Sequence, residues 1–171
     1  MTKMSQTSTT TLANKIVLGL DPGFGRLGFA VLASEHGNPK ITTYGCIETS
    51  AKSLHGERLA KIAREVKYLI KHYKPTVVSV ERLFFSKNVK TALQVAEARG
   101  VILLTLAESH ITPLEFSPQQ VKLAATGDAT ADKEQVQKML KLMFKLKEPP
   151  KPDDAADAVA IALCGMAHRI K

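Results

Sequence analysis

The sequence predicts an α/β fold in which a mixed five-stranded sheet carries helices on both faces. Three strand-like apolar segments follow one another closely in the first third of the chain, and helical periodicity then alternates with short apolar runs. At 171 residues the chain suits one domain, expected to span residues 15–171.

Ile16 to Leu20, Leu27 to Ala33 and Ile41 to Ile47 read as an antiparallel meander, with His36, Gly37, Asn38 and Pro39 as turn residues in its second connection. From Leu59, apolar residues at 59, 62, 63, 66, 69, 70 and 73 keep helical spacing, and Pro75 follows the stop. Val77 to Val80 is the fourth strand. A helix from about Val89 toward Gly100 leads into the apolar run Val101 to Leu106. Ser117, Pro118 and Gln120 spell the start of another helix, with an N-cap, a proline in the first turn and the partner of a capping box. Gly127 is placed to end it. A further helix begins near Asp132, with Val136, Met139, Leu140 and Met143 on one face. The proline-rich stretch from Glu148 to Pro152 breaks it, and Asp153 is expected to cap a last helix from Asp154 to about Ala167. If the helix from 59 to 73 is a right-handed crossover, the first and fourth strands are parallel neighbours.

Four carboxylates then stand at the edges of apolar segments. Asp21 follows the first strand, Glu81 follows the fourth, and Asp154 and Asp157 open the last helix three residues apart, on one face. The topology puts Asp21 beside Glu81 and requires the last helix to bring its pair to the same rim. Hard divalent cations are held by such oxygen donors, and two of them about 3.5–4 Å apart are a common device for displacement at a phosphodiester. Plainer readings exist for some of these acids. Asp21 suits the turn Asp21-Pro22-Gly23, and acids favour a helix N-terminus. Glu81 is harder to explain, because an acid ending a buried strand needs a partner and the adjacent Arg82 faces the other way.

Composition bounds the function. The chain is 44% apolar and 23% charged, without a run of about 18 apolar residues, which fits a soluble globule. Lys and Arg number 24 against 16 Asp and Glu, a net charge of +8 that favours a polyanionic partner. Cys46 and Cys164 have no CxxC neighbour and read as reduced, semi-buried thiols in a cytoplasmic protein. Residues 1–14 lack an apolar core and an arginine, so they fit a disordered tail better than a signal or transit peptide. The five histidines lack metal-ligand spacing. Of the adjacent Phe84 and Phe85, one suits the core and the other an exposed position for stacking on a base. Val89 to Leu104 carries few charges and the small residues Ala92, Ala96, Ala98 and Gly100, which suits both core packing and a close dimer contact.

Four motifs in order carry a resemblance: Leu18-Gly19-Leu20-Asp21-Pro22-Gly23, Val80-Glu81-Arg82-Leu83-Phe84-Phe85-Ser86-Lys87-Asn88, Ala96-Glu97-Ala98-Arg99-Gly100 and Asp153-Asp154-Ala155-Ala156-Asp157-Ala158. Together they resemble the RuvC family of bacterial Holliday junction resolvases, from about Ile16 to His168. The resemblance implies a ribonuclease H-like fold, a homodimer, a bacterial cytoplasmic location and magnesium-dependent incision of four-way DNA junctions in recombination and repair. It implies that Asp21, Glu81, Asp154 and Asp157 are catalytic acids holding two Mg2+ ions, for which Mn2+ can substitute, with Asp21 bridging both. It further implies that Lys122 and Lys133 contact DNA phosphates, that Phe84 stacks on an unpaired base, and that a RuvA-RuvB branch-migration complex is a partner. The polar tail that many members carry after the last helix is absent here, which leaves the acids untouched. The rival classes are an ATP-binding domain of actin or sugar-kinase type, which needs a second lobe, and a junction-binding protein without catalysis, which does not need the acids.

Overall fold

The computed structural model describes residues 15–82 and 89–168. The segments β1 (Ile16–Asp21), β2 (Arg26–Glu35) and β3 (Asn38–Glu48) form the expected antiparallel meander. The helix α1 (His55–Tyr73) crosses to β4 (Val77–Glu81), which lies parallel to β1. Then follow α2 (Val89–Glu108), β5 (Leu114–Phe116), α3 (Pro118–Thr126), α4 (Lys133–Met143) and α5 (Asp153–Ala167). The sheet has the order β3-β2-β1-β4-β5.

Local chemistry explains most boundaries. The β2–β3 hairpin turns on His36 and Gly37, both at positive φ, as a two-residue turn that matches strand twist requires. Pro39 is tolerated in β3 because that strand lies at the sheet edge. One turn before the expected start, α1 opens with the Glu57 side chain accepting from the Leu54 amide at 3.0 Å. Helix α3 has the predicted capping box, with Ser117 Oγ accepting from the Gln120 amide, and Gly127 ends it in the left-handed region. Asp132 caps α4 in the same way.

Period-2 alternation sorts the sheet into two faces. Leu18, Leu20, Val78 and Val80 join Ile62, Val66, Leu69, Ala98, Ile102 and Leu106 in a core under α1 and α2. On the other face, Val17, Ala30 and Leu32 pack against residues of α3, α4 and α5. Helices therefore cover both faces. The alternation turns Gly19, Asp21, Ser79 and Glu81 toward α5.

Three expectations need correction. The α2 helix does not stop near Gly100 but continues through Val101 to Leu106 and ends at Glu108. Ile102 and Leu106 are fully buried against the sheet, so core packing outweighs the single glycine. The fifth strand is instead the three-residue Leu114–Phe116. Asp153 does not cap α5: the N-cap is Pro152, and the Asp153 carboxylate meets Lys133 and Gln137. Residues 1–14 and the Phe84–Phe85 pair lie outside the described residues.

The small residues of α5 press against small residues of the sheet. A Cβ placed on Gly19 would stand 2.6 Å from the Ala162 amide nitrogen and 2.8 Å from its Cβ, as well as striking the Ala158 carbonyl. Gly19→Ala is therefore expected to destabilise the fold by about 1–3 kcal/mol through overpacking. Gly56→Ala, in the first turn of α1 with nothing within 4 Å, should be neutral or stabilising by up to about 1 kcal/mol. Urea unfolding of the two variants checks the contrast, and equal midpoints would contradict it.

Candidate active site

The four acids come from three elements that meet at one rim. Asp21 is the last residue of β1 and Glu81 the last of β4, and their strands run parallel with Leu20 opposite Val80. The two carboxylates therefore follow neighbouring register positions and share the face that α5 covers. On the other side of Asp21 lies Gly28 of β2. The first turn of α5 rests on that glycine, where any Cβ would collide with the Asp154 carbonyl and stand 3.2 Å from the Asp21 Cβ. Three residues on, Asp157 shares the face of Asp154.

The electrostatics bind the group together. Burial pushes the Asp21 carboxyl up to about 8, with Asp157, Glu81 and Asp154 adding to the rise and Lys133 opposing it. Glu81 is pushed up to about 7, by burial and then by Asp157. Asp157 is also raised, by burial, although the charge and hydrogen bond of Lys133 work against it. The ionised neighbours thus make Asp21 harder to ionise, and Asp157 does the same to Glu81. Two of them turn to basic neighbours, Asp154 Oδ2 to Arg26 Nε and Asp157 Oδ2 to Lys133 Nζ, each at 3.4 Å. In this arrangement no three acid, histidine or cysteine side chains among the described residues form a metal-ligating group.

The predicted basic residues divide. Lys133, at the start of α4, reaches Asp157 and also Asp153 at 3.1 Å. Burial lowers the pKa of its ammonium, but the hydrogen bond to Asp153 and the two carboxylate charges more than compensate and raise it. Lys122 lies on α3, where its charge acts on Asp128 and it makes no ion pair with the four acids. Phe84 lies outside the described residues. Cys46 and Cys164 are free thiols, pushed up by burial to about 11 and 12, so neither ionises near neutrality.

Two features were not found from sequence. Arg26 contacts Asp154 across the rim, a role hidden among many exposed cations. Gly28 admits the start of α5, and only its place seven residues after Asp21, on the next strand of a hairpin, could have marked it. A separate cavity of roughly 590 Å³ lies at the β2–β3 hairpin, lined by Lys40, Ile41, Met143 and Phe144 among others, and none of the four acids borders it.

Comparison with known proteins places this geometry. Residues 17–165 match the family model described as crossover junction endodeoxyribonuclease RuvC. The RuvC of Petrotoga mobilis is 48% identical over 149 residues, which is 87% of this chain and 91% of that one. Thermus thermophilus RuvC superposes with a TM-score of 0.80 at 34% identity, covering 87% of this chain and 92% of its own. The same protein in complex with Holliday junction substrate gives 0.78 at 32% identity, covering 87% and 91%. With close superposition on solved relatives and a family match across nearly all of the described residues, the chain belongs to the RuvC family of crossover junction endodeoxyribonucleases.

Proposed function

We propose that this chain resolves Holliday junctions by nicking two strands symmetrically, and that Asp21, Glu81, Asp154 and Asp157 hold the divalent cations that the reaction uses. One observation carries the assignment: Asp21 is buried among three other acids that all raise its pKa. A buried carboxyl whose ionisation is opposed by three neighbouring acids is relieved by positive charge, and an all-oxygen donor set suits a hard ion. When bound, two Mg2+ ions, or Mn2+ in their place, supply Lewis acidity for attack of water on the phosphodiester. Asp21, between Glu81 and the α5 pair, is the acid assigned to both ions.

The remaining roles follow from position and resemblance. Lys133, already beside Asp157, and Lys122 on α3 meet strand phosphates, and Phe84 stacks on a base opened at the crossover. Residues 15–171 act as one nuclease domain in the bacterial cytoplasm, with a RuvA-RuvB motor as a partner for branch migration. Among the described residues no helix is long and apolar enough to cross a membrane. A two-fold junction calls for two sites, and α2 supports a homodimer: Leu93 and Leu104 stand 62% and 60% exposed, with exposed Gly100 between them. Incubation with a labelled four-way junction and magnesium, beside a linear duplex, tests the whole reading. Paired symmetric nicks confined to the junction are expected, and equal cutting of the duplex would refute it.

Removing one acid should separate chemistry from binding. Asp21→Asn and Glu81→Gln are expected to lose nearly all cleavage in magnesium while keeping junction affinity, because affinity rests mainly on cations meeting phosphates. Wild-type cleavage rates in either variant would remove that residue from the site. Calcium should support binding with little cleavage, because its longer and looser coordination disturbs in-line geometry. Full cleavage in excess chelator would end the metal reading.

The raised acids also set a pH dependence for the metal-free protein. From an ordinary value of 3.8 up to about 8, the unfolded chain has released the Asp21 proton while the folded chain keeps it. The folded state binds more protons in this window, so stability falls as pH rises through it. Thermal melts in chelator should show Tm dropping from about pH 5 to pH 8 at roughly 2–4 °C for each kcal/mol lost. Asp21→Asn should flatten that slope and melt higher than wild type at pH 8. A parallel slope in the variant would show that Asp21 is not its source.

A further inference from the structure

Arg26 is the basic residue at this rim that neither resemblance nor composition singled out. It opens β2, opposite Glu48 of β3, and its backbone is fixed on both sides. The turn before it closes so tightly that a Cβ on Gly23 would strike the Arg26 carbonyl, and the Thr49 amide donates to the Gly25 carbonyl at 2.9 Å. Phe24 in the same turn is clamped by Arg58, whose guanidinium carbon lies 3.8 Å from the ring centroid, and by the stacked ring of His55. From this anchored start the Arg26 side chain reaches Asp154 through Nε at 3.4 Å while remaining 56% exposed.

A guanidinium carries five N–H donors, and Nε is one of them. Among the described residues no other carboxylate pairs with Arg26. The terminal amino groups are therefore available at the edge of a site where a backbone phosphate must lie against four acids. Lys133 supplies positive charge from α4, bound to Asp153 and Asp157. Arg26 supplies it from β2, on the side of Asp154. A planar fork can hold a carboxylate on one edge and a phosphate on the other, which a lysine ammonium does less well.

We propose that Arg26 is a positioning residue for the junction reaction, holding the Asp154 carboxylate through Nε and gripping a strand phosphate through its terminal amino groups. The inference rests on the junction-nuclease reading above. It makes two separable demands. Binding one phosphate contributes to the salt dependence of junction affinity, and holding Asp154 competes with a cation for that carboxylate.

Wild type, Arg26→Gln and Arg26→Lys are compared in two assays. Junction affinity is measured against salt concentration in chelator, and Mn2+ binding is measured by calorimetry without DNA. The slope of log affinity against log salt should be shallower by about 0.9 in Arg26→Gln and close to wild type in Arg26→Lys, as loss of one phosphate contact requires. Mn2+ should bind both variants about two- to fivefold more tightly, the range expected when an exposed ion pair no longer competes. Thermal melts matching wild type are expected for a side chain this exposed, and the lysine variant separates charge from the fork in any case. An unchanged salt slope or an unchanged Mn2+ isotherm in Arg26→Gln overturns the proposal. If wild type itself neither prefers the junction to linear duplex nor takes up Mn2+, the junction-nuclease reading fails and this inference falls with it.

Discussion

The approach of α5 to the centre of the sheet is the constraint on which the rest of the molecule depends. Side chains are missing where the two meet: Gly19 lies under Ala158 and Ala162, Gly28 under the Asp154 carbonyl, and Gly165 against Ser79 and Val17. From Ala155 to Gly165 the helix is buried except at Asp157, and alanines dominate its contact surface. Close packing of this kind stabilises the core through dispersion and burial. It also fixes the start of the helix within reach of the ends of β1 and β4. The acids are neighbours because glycines and alanines let backbones approach, and a larger residue at those positions would move half of the carboxylate group away from the other half.

That placement carries an electrostatic penalty which the fold only partly offsets. Burial and mutual repulsion lift Asp21 and Glu81 far above ordinary carboxylates. The N-terminal end of α5 favours negative charge in its first turn, where Asp153 and Asp154 sit. Lys133 and Arg26 add counter-charge from outside. Among the described residues neither forms an ion pair with Asp21, although the charge of Lys133 opposes its rise. The strain is thus concentrated on the acid nearest the middle of the group. For stability alone an apolar residue or an amide would serve better there, which is what gives the proposed role of Asp21 its physical motive.

The parts of this design that sequence exposed are those governed by local rules. Periodicity marked α1, the Ser117–Gln120 box marked the start of α3, and the crossover rule made β1 and β4 parallel, which was enough to bring Asp21 and Glu81 together. What stayed hidden depends on tertiary context. An apolar run such as Val101 to Leu106 carries the same signal in a buried helix as in a strand, and Gly100 looked like a stop because its helical neighbours on both sides were not yet known. The strand Leu114–Phe116 has three residues, too few for a period to register. Asp153 has the chemistry of a cap, but Lys133 and Gln137 across the α4–α5 contact draw its carboxylate away. Arg26 was invisible for the same reason, since nothing local distinguishes a cation that meets an acid from one that meets water.

A net charge of +8 on a chain whose proposed active site is acidic raises a problem of approach. A basic surface draws phosphates at long range, but within a few ångströms the four carboxylates would repel a strand lying on them, as the proposed function requires. Divalent cations held there, as proposed above, would remove most of that repulsion. The protein adds fixed positive charge at two sides of the group, from α4 and from β2, each tied to a different carboxylate of α5. Both cations are already paired with these acids in the protein alone. On the proposed reading a strand lying at this rim meets these two charges beside the carboxylates, and the α5 packing that brings the acids together also sets where the charges stand.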